Sequence, residues 1–173
     1  MKITDYLASY AEPRTFAARE IPAAHVQALL SAALLSEGCR GRNTCELYVT
    51  DDRARLDRLA DVRDDSGAES LRTAPLAAAV VADRLYDGAW AENCAAVVWA
   101  VRLQAAELGI DCSSVQIRGY SLTDGELSDD AVRGILGVPE GKTVYALLVL
   151  GYGGSICAAA DGEGPDWGRV HLV

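Results

Sequence analysis

Residues able to do chemistry are few in this chain, and they are scattered. Cys39 and Cys45 flank a loop that carries Arg40 and Arg42. A guanidinium beside a thiol favours the thiolate, so a reactive cysteine is one chemistry the loop could supply. Two solvated arginines and inert thiols are the plainer reading. The five cysteines, Cys39, Cys45, Cys94, Cys112 and Cys157, match no zinc or iron–sulfur spacing. The two histidines, His25 and His171, are too few for a histidine-rich metal site. Nothing in their spacing sets an acid beside either, so no Ser-His-Asp set can be drawn. Gly151-Tyr152-Gly153-Gly154-Ser155 is glycine-rich, but no helix follows it, so it is not a phosphate-cradling loop. Trp90, Trp99 and Trp167 read as core or interface residues rather than cofactor platforms.

The elements that must position such groups can be read along the chain. Residues 2–10 form a short helix, and Pro13 breaks it. Val26, Leu29, Leu30, Ala33 and Leu34 recur at helical spacing. The loop SEGCRGRNT follows, and then the strand Leu47–Val49. Asp51 and Asp52 cap a charged helical region over residues 53–72, with a break near Ser66-Gly67. Leu76–Ala82 is a continuous apolar run suited to a buried strand. Residues 87–108 form the longest helix. It is apolar on nearly every side and is expected to be central and buried, with Gly109 as its stop. Residues 112–118 are a strand. Ser128-Asp129-Asp130 caps a short helix, and Val144–Leu150 is the last core strand. The elements alternate without strict βαβ order, which points to an α+β sandwich with a mostly antiparallel central sheet.

At 173 residues the chain is expected to form one domain, residues 1–173, with 160–173 as a C-terminal tail. A formal charge of −9 argues against nucleic acid and anionic membrane surfaces as partners. No apolar run is long enough to span a bilayer, and the N-terminus MKITDYLASYAEPR lacks a signal-peptide core. A cytoplasmic location is the default expectation. An odd cysteine count there fits thiols rather than a disulfide framework.

Leu108–Arg118, LGIDCSSVQIR, closes the long helix and opens a strand; Leu150-Gly151-Tyr152 closes another strand at a glycine; between them lies a short helix stopped by Gly137 and Pro139. This order resembles the C-terminal half of the nitroreductase family of FMN-dependent oxidoreductases. The likeness extends to Val26–Ser36, Pro75–Val81, Trp90–Arg118 and Val132–Pro139. The closing Trp167–His171 resembles the short-chain bacterial branch. The resemblance implies an α/β/α sandwich and a homodimer with two FMN sites at the interface, the tail wrapping the partner. It also implies hydride transfer from NAD(P)H through the flavin to nitro-aromatics, quinones or other organic acceptors. No side chain need act as a nucleophile in that chemistry, and no metal is implied.

The family's Arg-x-Ser-x-basic run falls on Tyr10, Ala11, Glu12 and Arg14, and Phe16 falls on a family aromatic. The resemblance thus assigns Arg14 to the flavin ring, where a cation stabilises the reduced form. It puts Tyr10 and Glu12 on phosphate-facing positions. A carboxylate roughly 4 Å from a phosphate, at an effective dielectric of about 20, repels by about 4 kcal/mol per unit charge. The family's Pro-Ser-x-x-Asn run falls on Glu37–Gly41, with Asn43 two residues further on and Arg40 and Arg42 as new positive charge. Ser114 and Gln116 fall on the strand that lines the flavin, and Arg169 on a second phosphate cation. Two readings follow: a flavin oxidoreductase with an altered phosphate site, or a homodimer of the same fold that has lost FMN and serves as a binding or structural protein.

Overall fold

The computed structural model describes residues 2–36, 44–63, 65–84, 88–154 and 165–173. Its elements run α1 (Ile3–Ser9), α2 (Ala23–Leu35), β1 (Cys45–Thr50), α3 (Arg53–Ala60), a 3-10 turn (Ser66–Arg72), β2 (Leu76–Asp83), α4 (Trp90–Glu107), β3 (Asp111–Gln116), α5 (Ser128–Leu136), β4 (Lys142–Gly151) and a final 3-10 turn (Trp167–Arg169). The four strands pair antiparallel in the order β1-β2-β4-β3. β2 and β4 lie in the middle, and both are apolar almost without interruption because both of their faces are covered.

The strand pleat sorts the core into two layers. Ala77, Ala79 and Val81 of β2 face the same side as Leu147 and Val149 of β4, against Leu56 and Leu59 of α3, Leu71 and Val132 of α5. Ala78 and Val80 face the other side with Ala146 and Leu148, against Leu29 of α2 and Val97, Val101 and Ala105 of α4. The expected α/β/α sandwich is the observed one. No helix among the described residues is long and apolar enough to cross a membrane.

Three local expectations need correction. α4 is an outer layer rather than a central helix: Cys94, Val97, Val98, Val101 and Ala105 make its buried stripe, while Trp99 is 44% exposed on another face. The break in the charged region 53–72 falls earlier than Ser66-Gly67: α3 ends at Ala60, and the chain restarts at Ser66 as a 3-10 turn. There Asp65 caps the second element, accepting from Gly67 N at 2.9 Å. Third, Ser128-Asp129-Asp130 does not cap α5. The Asp129 carboxylate turns to the sheet and accepts from Val144 N at 2.7 Å and Thr143 Oγ1 at 2.9 Å. The helix instead has a backbone N-cap at Leu127 with no side-chain bond.

Candidate functional site: the outer edge of strand β3

β3 is an edge strand, so every second residue points its backbone N–H and C=O away from the sheet. Side chains from distant parts of the chain meet these groups. The Tyr10 hydroxyl donates to Cys112 O at 2.9 Å. Ser114 N donates to Glu12 Oε1 at 3.1 Å. Arg63 Nη1 donates to Gln116 O at 2.9 Å, while its guanidinium pairs with Asp65 and stacks 3.6 Å from the Tyr120 ring centre. That pairing holds the Asp65 carboxyl below its usual range.

Glu12 has a second partner, and it changes the electrostatics of the site. Arg102, from the buried stripe of α4, places Nη2 2.8 Å from Glu12 Oε1 and 2.8 Å from Ser114 Oγ. Its guanidinium also lies 4.8 Å from the Tyr10 ring centre and 5.3 Å from that of Trp99. Arg102 is 8% exposed, and its buried Nε has no hydrogen-bond partner among the described residues. The Glu12 carboxylate, which the resemblance sets next to a phosphate position, is thus paired with a cation. The repulsion of about 4 kcal/mol expected from an uncompensated charge does not apply to it in full. Burial holds the Tyr10 hydroxyl well above its ordinary value, against the pull of Arg102, so Tyr10 stays a donor.

Arg14 follows two residues after Glu12 and is exposed. Its segment is held from below. Phe16 is in the core, and its N–H donates to Thr73 Oγ1 at 2.9 Å. Ala17 N donates to Tyr152 O at 2.8 Å and Gly153 O at 2.9 Å. The glycine run after β4 is the bed for this segment. A Cβ on Gly151 would stand 2.6 Å from Phe16 Cδ1, and one on Gly154, at φ +150°, would stand 2.0 Å from Thr15 O. The run is not a phosphate loop, yet Gly151 and Gly154 are required, because they let Thr15 and Phe16, the residues that follow Arg14, pass close by.

The structure thus brings the Arg14 segment and the Ser114–Gln116 edge together through Glu12. Gln116 is partly exposed, and its Nε2 lies 3.5 Å from Arg118 O. Arg169 stands in the final 3-10 turn, with its N–H donating to Asp166 O at 3.3 Å, and the described tail residues 165–173 are all exposed. Arg40 and Asn43, together with Cys39 and Arg42, lie outside the described residues. Arg102 escaped the sequence reading. Its one signal was its place as the lone cation within the apolar run of α4.

Among the cysteines, Cys45, Cys94 and Cys112 are buried thiols; Cys39 and Cys157 lie outside the described residues. Burial pushes the Cys112 thiol up to about 12. Cys112 is therefore expected to resist iodoacetamide in the native protein near pH 8, and to react once the protein is unfolded. Rapid native labelling of Cys112, read by peptide mass, would contradict its burial behind Tyr10.

No family model matches the sequence, and no curated protein matches it either. Solved structures do. An FMN-dependent nitroreductase from Clostridium difficile R20291 is 28% identical, with 99% of this chain and 98% of that one covered and a TM-score of 0.90. A nitroreductase with bound FMN from Bacteroides fragilis NCTC 9343 is 21% identical over 100% and 99% of the two chains, with a TM-score of 0.77. Another with bound FMN, from Desulfitobacterium hafniense DCB-2, is 19% identical over 100% and 99%, with a TM-score of 0.76. The likeness read from Leu108–Arg118 and Leu150–Tyr152 is thus a likeness of whole structures, and the described residues have the nitroreductase fold.

Proposed function

We propose that the protein is a cytoplasmic, homodimeric FMN oxidoreductase of nitroreductase type with a rebuilt phosphate site. The observation that carries this reading is the Glu12–Arg102 pair, which removes the charge that argued most strongly against a flavin phosphate. Arg14 is an exposed cation on the same segment. When bound, FMN supplies the two-electron chemistry that takes hydride from NAD(P)H and passes electrons to an organic acceptor. Arg14 would stabilise negative charge on the reduced ring. Ser114 and Gln116 would line the ring. Arg169, with Arg40 or Arg42, would hold the phosphate by charge-assisted hydrogen bonds, and Asn43 would stand in for the family asparagine.

The apolar residues left exposed support a second subunit: Trp99 on α4, and Trp167, Val170 and Leu172 on the tail. A second reading has its own support. Tyr10 and Glu12 already take up Cys112 O and Ser114 N, as a protein that had closed the old cleft would do. The two readings part in one experiment. The purified protein, incubated with FMN and desalted, is expected to sediment as a dimer, retain a yellow flavin spectrum, and oxidise NADH or NADPH with a quinone or nitro-aromatic acceptor. A colourless dimer without turnover would leave the closed-cleft reading standing, and a monomer would remove the interface site altogether.

A further inference from the structure

The start of β1 and the first turns of α4 approach each other at two successive positions. Asn93 Nδ2 donates to Thr44 Oγ1 at 3.1 Å, and next to them Cys45 Sγ lies 3.5 Å from Cys94 Sγ. Cys45 is 6% exposed and Cys94 is fully buried. The paired contacts bring two backbone stretches side by side, so the thiols meet through the framework of the fold rather than through one rotamer. Closing the sulfurs to a bond length of about 2.05 Å takes a movement of roughly 1.5 Å. Cys112, by contrast, has its thiol against Ser113 O at 3.7 Å.

We propose that Cys45 and Cys94 are an oxidative modification site, a dithiol that closes to an intrachain disulfide and ties β1 to α4. The oxidant is a hydroperoxide, with hydrogen peroxide the smallest. Attack by the Cys45 sulfur, the more accessible of the two, breaks the O–O bond and leaves Cys45 as a sulfenic acid, with water released. The Cys94 sulfur then attacks the Cys45 sulfur. The S–S bond forms, the S–O bond breaks, and the hydroxyl leaves with the Cys94 proton as a second water. Two thiols have lost two electrons and peroxide has gained them. The bond would anchor Cys45, the residue from which β1 starts.

The test is to expose the intact protein to hydrogen peroxide, block the remaining thiols under denaturing conditions, and map peptides without reduction. The expected result is a Cys45–Cys94 cross-linked peptide, chains lighter by two hydrogens, reversal by dithiothreitol, and an unlinked Cys112. The thermal midpoint of the oxidised protein should rise by roughly 5–15 °C, as closure of a loop of about 50 residues implies. Cys45→Ser and Cys94→Ser should each abolish both the cross-link and the rise. Full alkylation of Cys45 and Cys94 after peroxide treatment would overturn the proposal. So would a bond from Cys45 to Cys39 in place of Cys94. The peptide map uses the native sequence, so the outcome does not depend on a serine variant folding.

Discussion

Glu12→Ala is expected to destabilise the protein by about 2–3 kcal/mol, and Arg102→Leu by only about 1 kcal/mol. The asymmetry follows from where the two partners sit. The Arg102 side chain is 10% exposed and that of Glu12 42%. Removing Glu12 strands a buried guanidinium whose Nε already lacks a hydrogen-bond partner among the described residues. Breaking a buried pair in that way costs about 3–5 kcal/mol, reduced here because water reaches the carboxylate side. Removing Arg102 instead leaves a carboxylate that solvent can reach and that keeps the Ser114 N–H, while leucine fills the buried volume with apolar atoms. The double variant should cost less than the sum of the singles, with a coupling of about 1–2 kcal/mol in urea denaturation. Equal costs, or strict additivity, would mean that the pair does not hold the segment to β3.

Gly154→Ala should displace the Arg14 segment, lower stability by about 2 kcal/mol and weaken FMN binding at least tenfold. The new Cβ would stand 2.0 Å from Thr15 O, a backbone atom that cannot swing aside, at φ +150°. Gly153→Ala is the control. That position has φ +48° but no atom of the described residues within 4 Å of the new Cβ, so it carries the conformational cost of about 1 kcal/mol without the collision. Should the two variants behave alike in FMN titration, the glycine run would not be what positions Arg14.

Much of the scaffold was legible because it rests on local rules. The unbroken apolar runs of β2 and β4 announced strands covered on both faces. Asp52 caps α3 as read, accepting from Arg55 N at 2.9 Å. Gly109 and Gly137 end their helices at positive φ, 67° and 70°. The site was legible in part. In the sequence Tyr10 and Glu12 read as substitutions at a phosphate site, and Arg14, Ser114 and Gln116 as flavin contacts. The structure shows Tyr10 and Glu12 bonded to the strand itself. What hid this was sequence distance: Glu12 and Arg102 are 90 residues apart, and no periodicity links them. The same limit hid the bed beneath Arg14, where Gly154 meets Thr15. Asp129 misled for a related reason. A carboxylate in a helix's first turn ordinarily signals a cap, but here a strand N–H lies closer at hand.

On the proposed reading, Arg14 faces the flavin ring and, with Glu12 neutralised by Arg102, the phosphate is held by Arg169 with Arg40 or Arg42. Equilibrium titration of the native protein and of Glu12→Ser with FMN and with riboflavin, followed by flavin fluorescence, tests it directly. FMN is expected to bind one per chain and at least tenfold more tightly than riboflavin, since a charge-assisted contact to phosphate is worth about 1.5–3 kcal/mol. Glu12→Ser should tighten FMN further, by roughly tenfold, because it leaves the Arg102 charge unopposed, and it should leave riboflavin unchanged. Equal affinity for FMN and riboflavin, unmoved by Glu12→Ser, would contradict the account and place any flavin elsewhere.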